Sequence, residues 1–454
     1  MEATTLVPKA ALTLTKRAIS GLVLGLSLNL LVGVRAEAIT FNFTKIADTN
    51  TPIPGSTGNL ALLDLTPFLD KGVVVFTNIS SSGEGIYLNV GGSLNVVADT
   101  NTAIPGGTGN FRNFDLVWLD NGYVAFRGNV FTQQPGIYTN VGGSLNVVAD
   151  TNTVIPGSTE NFAQFGYPSL DNGIVAFSGN GINFLPSGIY TNTGGSLNVV
   201  VDSNTAIPGG TGNFRDFAFV SLDNGNVAFK SFFGYQDGIY TNVGSSLNVV
   251  ADTNTAVPGG TGNFTGFSYV SFDKINVSFT GFSSGTQGIY TNLGGSLNIV
   301  ADTNTAIPGS TEKFFGIGQS AIDNENVAFV AADSSFLVPS PKGGFQTNFT
   351  SGIYTNLGGS LTKVLTHNDS LDGKIIDEVV LGTNALSGNQ IAFYARFTDD
   401  SRGIYVATAT STPTSVPESS STLGVLAIGA FGVGFLLKRK QKQQQSASGV
   451  TSDI

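Results

Sequence analysis

The stretch from Gly238 to Gly260 reads GIYTNVGSSLNVVADTNTAVPGG, and it decides the fold because the chain repeats it. Its first tripeptide, Gly-Ile-Tyr, occurs seven times in steps of 51, 52, 50, 50, 64 and 51 residues. The tripeptides begin at Gly85, Gly136, Gly188, Gly238, Gly288, Gly352 and Gly403. A period of about 50 residues is typical of architectures in which neighbouring repeats bury one another. The sequence therefore predicts seven related units.

One unit, residues 213–252, contains the pattern of a four-stranded antiparallel meander. The predicted strands are 219–222, 226–229, 238–242 and 246–251. Asp223-Asn224-Gly225 separates the first two strands, because Asn-Gly supplies the positive φ angles of a tight hairpin turn. The consecutive apolar residues Val249, Val250 and Ala251 predict a strand that is buried on both faces.

The ends of the repeated region favour a closed ring. Residues 41–47 match the strand that precedes Asp-Thr-Asn-Thr, whereas the last unit ends at Gly403-Ile404-Tyr405 without that strand. Pairing the two would close the ring and cover exposed strand edges. The predicted fold is an all-β, seven-bladed β-propeller of four-stranded blades, closed by its N-terminal strand.

Composition excludes several chemistries. The chain has 454 residues with no Cys and one His, which excludes disulfides and thiolate zinc sites. Residues 39–408 hold 27 of the 31 acidic and 13 of the 21 basic residues, a net charge of −14. The negatively charged phosphates of a nucleic acid would repel this acidic region, so no nucleic-acid partner is expected.

The N-terminus predicts export. Residues 1–38 combine Lys9, Lys16 and Arg17 with an apolar run at 21–34. Ala36 and Ala38 then provide the small residues of a signal-peptidase site. The alternative is an uncleaved anchor helix.

The C-terminus predicts a second targeting segment. A Ser/Thr/Pro-rich linker at 408–418 precedes an uncharged apolar run at 419–437, which is long enough for a transmembrane helix. Lys438, Arg439 and Lys440 begin a basic tail, 438–454, that would stay cytoplasmic.

Val416-Pro417-Glu418, the apolar run and Lys438-Arg439-Lys440 together resemble the PEP-CTERM sorting signal of bacterial exported proteins. The resemblance implies processing by an exosortase-like enzyme and delivery to the cell surface or an exopolysaccharide matrix. Ser419 stands where that signal has a second proline. A plain membrane anchor is the alternative.

The repeats resemble a family of exported tandem-repeat proteins named for the signature NxxGxxAF. The resemblance rests on the Gly-x-Val-Ala-Phe strands at 122–126 and 173–177, and on Leu371-Asp372-Gly373-Lys374. The signature Asn is not matched, since Leu119 lies three residues before Gly122. The family implies a propeller-like fold and export, and no catalytic residues.

The repeated Asp-Thr-Asn-Thr segment has two interpretations. Its oxygen donors at alternate positions suggest calcium ligands, with the aspartates at Asp48, Asp99, Asp150, Asp202, Asp252 and Asp302 as candidates. The EF-hand glycine and glutamate are missing, with Ile207 and Asn213 in their places after Asp202. The favoured interpretation is therefore a turn in which Asp and Thr bind nearby backbone amides. No other cofactor is expected.

The remaining candidates for chemistry are weaker. The seven repeated tyrosines could contact glycans, but their place within strands favours burial, as does that of Phe111, Phe162, Phe214 and Phe264. The divergent seventh unit offers His367, Asp369, Asp372, Asp377 and Glu378, and 331–350 is a long insert. These indicate a drifted closing unit and a surface loop rather than an active site.

The sequence thus predicts a monomeric, noncatalytic binding or structural propeller, exported to the cell surface or extracellular matrix. A calcium- or glycan-binding adhesin is the alternative, and an extracellular hydrolase is the third interpretation. Expected partners are an exosortase-like enzyme, an exopolysaccharide or surface glycan, and the membrane through residues 419–437.

Overall fold

The computed structural model describes residues 38–63, 66–81, 83–129, 135–233, 236–339 and 345–412. Ala38 is the first described residue, so Ala36 and the rest of the predicted signal peptide lie outside this part. The predicted sorting residues Val416, Pro417, Glu418, Lys438, Arg439 and Lys440 and the apolar run at 419–437 also lie outside it. Among the described residues, the structure contains no helix that could span a bilayer.

The described residues form strands joined by tight turns. In chain order the strands are β1 (Ala38–Asp48), β2 (Leu62–Leu63), β3 (Phe68–Asp70), β4 (Val73–Ser80), β5 (Gly83–Val90), β6 (Ser93–Asp99), β7 (Phe114–Asp120), β8 (Tyr123–Gly128), β9 (Gly136–Thr139), β10 (Asn146–Asp150), β11 (Gln164–Asp171), β12 (Ile174–Asn180), β13 (Ser187–Thr191), β14 (Asn198–Asp202), β15 (Asp216–Asp223), β16 (Asn226–Phe233), β17 (Gln236–Thr241), β18 (Asn248–Asp252), β19 (Gly266–Asp273), β20 (Asn276–Ser283), β21 (Thr286–Thr291), β22 (Asn298–Asp302), β23 (Gly316–Asp323), β24 (Asn326–Pro339), β25 (Phe345–Thr355), β26 (Thr362–Thr366), β27 (Ser370–Leu371), β28 (Lys374–Val380), β29 (Leu386–Ser387), β30 (Gln390–Phe397) and β31 (Arg402–Thr412). Short 3₁₀ turns lie at Ile182–Phe184, Thr193–Gly195, Val243–Ser245, Leu293–Gly295 and Leu357–Gly359.

The strands make seven antiparallel sheets, one for each predicted unit, which confirms the seven-bladed propeller. Blades 1 to 6 occupy 62–99, 114–150, 164–202, 216–252, 266–302 and 316–366, and blade 7 occupies 370–412. In blades 1 to 6 the innermost strand lines the central channel, and in blade 7 the loop after β28 and the short β29 do so. The outermost strand of each blade lies at the rim. The long insert at 331–350 extends the β24–β25 hairpin of blade 6.

The N-terminal strand closes the ring as predicted. β1 pairs with β31 from Ala38–Thr412 to Asp48–Gly403 and so becomes the outer strand of blade 7. Lys45 Nζ ties this strand to the loop after β27 through Asp372 Oδ2, at 2.8 Å. The first and last described residues therefore lie side by side at one end of blade 7.

The predicted Asp-Asn-Gly hairpins also form. In blade 3, Asn172 and Gly173 have φ angles of 48° and 78° between β11 and β12. Positive φ at both central positions defines a type I′ turn, whose twist matches that of the strands. Its repetition places the ends of all inner strands on one face of the ring.

Repeated aromatic residues form the core between blades. The ring of Phe214 meets that of Tyr240 edge to face at 4.9 Å, and the Tyr240 ring stacks on Phe229 at 5.7 Å. The same edge contact recurs at Phe111–Tyr138, Phe162–Tyr190, Phe264–Tyr290 and Phe314–Tyr354. All these side chains are at most 2% exposed, which confirms the predicted burial of the tyrosines and phenylalanines.

The prediction that the fourth strand is buried on both faces was wrong. In β18, Val249 is 37% exposed, whereas Ala251 is fully buried. A bulge at Val250 puts Val249 and Ala251 on opposite faces of this rim strand. Only the face of Ala251 packs against a neighbouring blade, because the ring leaves the other face to solvent. The same position is exposed in four further blades, at Val96, Val147, Val199 and Ile299.

Replacing Phe214 by Ala should lower the free energy of unfolding by about 3–5 kcal/mol, because it opens a cavity among fully packed rings. Phe232→Ala, in the same blade, is a matched control because Phe232 is 45% exposed, and it should cost less than about 0.5 kcal/mol. Denaturant unfolding of both variants measures the difference. Equal losses would contradict this assignment of the core.

Candidate binding channel

Three layers of side chains line the channel, each with one residue from every blade. The first layer lies at the ends of the inner strands, and we call this side of the ring the acidic face. The opposite side, where the inner strands begin, is called the cavity face. Between the two faces the channel holds a polar mouth, an apolar constriction and an aromatic cavity.

The mouth on the acidic face is the aspartate ring, comprising Asp70, Asp120, Asp171, Asp223, Asp273 and Asp323. Each Oδ2 accepts a hydrogen bond from the backbone N–H of the next blade's turn, at 2.5–2.9 Å. In blade 7, Ser387 Oγ accepts the N–H of Lys71 at 3.0 Å. These seven bonds make a continuous circuit that joins every blade to the next.

Burial perturbs three members of the aspartate ring. It raises the pKa values of Asp120, Asp171 and Asp273 above that of an ordinary aspartate. Hydrogen bonds from the next blade act in the opposite direction, and neighbouring ring carboxylates raise the pKa further. The circuit is therefore made at an electrostatic cost.

Directly behind the ring lies the apolar girdle, comprising Leu69, Leu119, Leu170, Leu222, Phe272, Ile322 and Leu386. Each of these side chains is at most 7% exposed. A polar space of about 120 Å³ lies on the aspartate side. The girdle separates that space from the cavity, which therefore opens toward the cavity face.

The third layer is the cavity layer, comprising Thr66, Leu116, Tyr167, Phe219, Tyr269, Gln319 and Thr383. It lines a cavity of about 250 Å³. The ring centroids of Tyr167, Phe219 and Tyr269 follow one another at 5.4 Å in three successive blades. Gln319, Thr383 and Thr66 occupy the other arc, so the cavity has an aromatic side and a polar side.

Bulges in the inner strands present the cavity layer. The pairing register shifts at this position in the inner strands of blades 2 to 6. Leu116, Phe219 and Tyr269 have φ angles of 49°, 51° and 47°. Such angles are unfavourable for bulky side chains, and strained residues of this kind concentrate at functional sites.

The preceding blade holds several of these bulges in place. Lys230 Nζ donates to the carbonyl of Phe267 at 2.7 Å, and Thr280 Oγ1 donates to that of Gly318 at 2.6 Å. The Arg127 guanidinium likewise donates to the Phe165 carbonyl while paired with Asp115. Contacts between blades thus fix the positions of the aromatic rings.

The six predicted calcium ligands do not line the channel. Each aspartate closes a turn at the end of an outer strand, where its Oδ1 accepts the N–H two residues later and the Thr hydroxyl three residues later. These hydrogen bonds are the ones expected if the Asp-Thr-Asn-Thr segment forms a turn, which is the favoured interpretation. Within the described residues, no three His, Cys, Asp or Glu side chains group as metal ligands would.

The polar residues of the divergent seventh unit are engaged in separate contacts. Asp369 pairs with Lys363, and Asp377 and Glu378 both pair with Arg396. His367 Nδ1 lies 2.8 Å from the carbonyl oxygen of Asp377. The structure does not bring these side chains together in a cavity.

Sequence reasoning missed the cavity layer. Its members lie four residues before the Asp or Ser that ends each inner strand, as Phe219 precedes Asp223. The available signal was variation, because this position holds Thr, Leu, Tyr, Phe, Tyr, Gln and Thr in otherwise similar repeats. Because the residue at this position differs from repeat to repeat, the repeat pattern does not mark the cavity layer.

Comparison with known families gives a match over most of the chain. The model of the family of unknown function DUF7453 matches residues 35–423. The chain has no match among curated proteins. The resemblances to NxxGxxAF repeats and to the PEP-CTERM signal are not confirmed and stay predictions.

Solved structures include similar propellers at low identity. The β-propeller domain of the Trilobed protease from Pyrococcus furiosus is 12% identical with a TM-score of 0.47, and the match covers 80% of this chain and 98% of that one. A prolyl endopeptidase is 12% identical with a TM-score of 0.45, and the match covers 78% of this chain and 50% of that one. The chain thus spans about half the length of that enzyme. At this identity the likeness describes the fold alone.

These comparisons contradict the expectation of a noncatalytic surface module or adhesin. The two solved structures described above belong to peptidases, and the fold of this chain resembles their propellers. The noncatalytic module and the calcium- or glycan-binding adhesin are therefore set aside.

Acidification from neutral pH toward the range in which an ordinary aspartate is protonated should stabilise the propeller through Asp120, Asp171 and Asp273. A carboxyl with a raised folded-state pKa binds its proton more tightly when folded, so its stabilising contribution grows as pH falls through that pKa. Asp48 and Asp399 have lowered pKa values, so protonation of these two carboxylates destabilises the fold. This loss of stability occurs only below the usual pKa of an aspartate.

Asp171→Asn tests this expectation, because its amide oxygen can still accept the Asn224 N–H. The variant should raise Tm by about 1–3 °C near pH 7 and show a smaller gain on acidification. Calorimetry at several pH values measures both effects. An identical pH dependence in the variant and the native protein would contradict the assignment.

Proposed function

The chain belongs to the family of unknown function DUF7453, and from its geometry we propose that it is an exported propeller that binds one bulky group of a polypeptide in the channel cavity. The observation that supports the proposal is the asymmetric cavity layer. Repeats that are alike in the aspartate ring and the girdle diverge in this one layer of the channel.

The two sides of the cavity suit an amphipathic group. Tyr167, Phe219 and Tyr269 offer ring faces and edges to an apolar or aromatic side chain. Gln319, Thr383 and Thr66 carry the hydroxyl and amide groups that orient a ligand in a mainly apolar pocket. A backbone amide beside an apolar side chain combines both requirements.

The size of the cavity indicates a single group. Its volume of about 250 Å³ lies below the ~300–1,000 Å³ of pockets that enclose a whole small ligand. The remainder of the bound molecule must lie outside the channel. In this proposal the propeller performs the binding step, and the girdle stops the group from passing through.

The predicted targeting segments complete the proposal. Residues 1–38 would direct export, and 419–437 would anchor or sort the chain at the cell surface. Ala38 and Thr412 are paired, at the end of blade 7 that belongs to the acidic face. An anchor that follows Thr412 would leave the cavity face free for a ligand.

Phe219→Leu should weaken binding of N-acetyl-phenylalanine amide about three- to tenfold, because it removes one aromatic contact. Leu116 adopts the same strained conformation at the equivalent position, so leucine is compatible with the bulge. The chain's one tryptophan, Trp118, lines the cavity, and its fluorescence reports occupancy.

Tyr123→Leu is the matched control, since Tyr123 is a 39% exposed aromatic residue outside the cavity. It should leave the affinity unchanged. The absence of any Trp118 response to blocked Phe, Tyr and Leu amides would refute the proposed function.

Truncation after Thr412 should release the protein from the membrane fraction of the producing cell while leaving Tm unchanged. The cut preserves the pairing of β31 with β1, so the propeller stays closed. Cell fractionation and calorimetry measure the two effects. Retention of the truncated chain in the membrane fraction would contradict the predicted anchor.

A further inference from the structure

We infer that the ligand is an extended, basic polypeptide segment that lies across the cavity face with one aromatic side chain in the channel. This inference rests on the proposed function and specifies its ligand. It is carried by a set of exposed apolar side chains near the mouth of the cavity and by the charge of the same face.

The apolar collar consists of Ile79, Ile182, Phe184, Leu185, Phe232 and Phe315, which are 45–69% exposed. These residues lie at or near the hairpins that join the second and third strands, or directly before an inner strand. Single exposed apolar residues are ordinary, but several on one face around a cavity indicate an interaction surface.

Direct contacts place two of these hairpins, those of blades 1 and 4, beside the start of the next blade's inner strand. Glu84 pairs across the blade 1 hairpin with Ile79, and its Oε1 accepts the N–H of Phe114 in β7 at 2.8 Å. In blade 4, Asp237 pairs with Phe232 and accepts the N–H of Phe267 in β19 at 3.3 Å. The collar is therefore continuous with the strands that carry the cavity layer.

A polypeptide is the occupant that fits both features. The cavity holds one group, and the collar supplies apolar surface on several sides of it. An extended chain of nine residues spans about 30 Å, so it can place a central side chain in the cavity and its flanks on the collar. Side chains that alternate along an extended segment suit such a surface.

Charge favours a basic segment. The six aspartates of the Asp-Thr-Asn-Thr turns lie at the ends of outer strands on the cavity face, and only Asp48 has an ion-pair partner among the described salt bridges. Residues 39–408 as a whole carry a net charge of −14, and the aspartate ring supplies part of it on the opposite face. Such a surface attracts cationic ligands and repels anionic lipid surfaces.

The test compares a blocked peptide, Lys-Thr-Lys-Thr-Phe-Thr-Lys-Thr-Lys, with N-acetyl-phenylalanine amide on the full chain. The peptide should bind at least tenfold more tightly, and added salt should reduce the difference. The peptide in which Glu replaces every Lys should lose most of the gain. Trp118 fluorescence and calorimetry measure the affinities.

Two collar variants separate the peptide-binding surface from the cavity. Phe184→Ala and Phe232→Ala should each weaken peptide binding about three- to tenfold and leave the affinity for the small amide unchanged. Both side chains are exposed, so their folding can be verified by an unchanged Tm. Phe219→Leu should weaken both ligands.

The outcomes distinguish the two proposals. If the small amide binds and the basic peptide binds no more tightly, the inference is wrong and the proposed function stands. The inference is also wrong if the collar variants leave peptide affinity unchanged, or if anionic vesicles or neutral oligosaccharides compete better than the peptide. If neither the amide nor the peptide binds, the proposed function itself is wrong.

Discussion

The fold depends on one constraint: a blade of this protein can bury its faces only against its neighbours, so stability requires a closed ring. Of the two features that meet this requirement, one lies at the rim of the ring and the other at its axis. At the rim, β1 completes blade 7 by pairing with β31. At the axis, hydrogen bonds from one blade's turn to the next join all seven blades in a circuit, which ends where Ser387 accepts the N–H of Lys71. Aromatic packing such as that between Phe214 and Tyr240 fills the space between.

The division between a repeated frame and a variable interior explains where binding chemistry can arise. The edge contact of Phe with Tyr recurs in blades 2 to 6 because the interfaces between these blades have the same geometry. The cavity layer is free of that requirement, since its side chains line the channel and lie outside the repeated Phe–Tyr contact. Tyr269 and Gln319 can therefore occupy the same position in adjacent blades. Under the proposed function, divergence in this layer changes the ligand without changing the fold.

This division also determines what could be predicted from the sequence. The number of blades, the Asp223-Asn224-Gly225 turn and the closing strand follow from repetition and local turn chemistry, because both are encoded within one unit. The cavity does not follow from any single unit. Tyr269 has the pattern of an ordinary strand residue until the bulge turns it toward the axis. That bulge depends on a contact between blades, in which Lys230 Nζ donates to the Phe267 carbonyl. The exposure of Val249 could not be predicted either, because it depends on which face the ring leaves to solvent.

Repetition has an electrostatic consequence that the channel must accommodate. A single carboxylate that accepts the next blade's N–H stabilises the fold, because the hydrogen bond is charge-assisted. Copied around the ring, it brings like charges together at the axis, where burial and repulsion raise the pKa of residues such as Asp171. Two departures from the repeat reduce this cost. Blade 7 uses the neutral Ser387, and cations replace the turn asparagine at Lys71 and Lys274. The circuit thus keeps its seven bonds with six carboxylates, and the girdle keeps their charge on the side opposite the aromatic cavity.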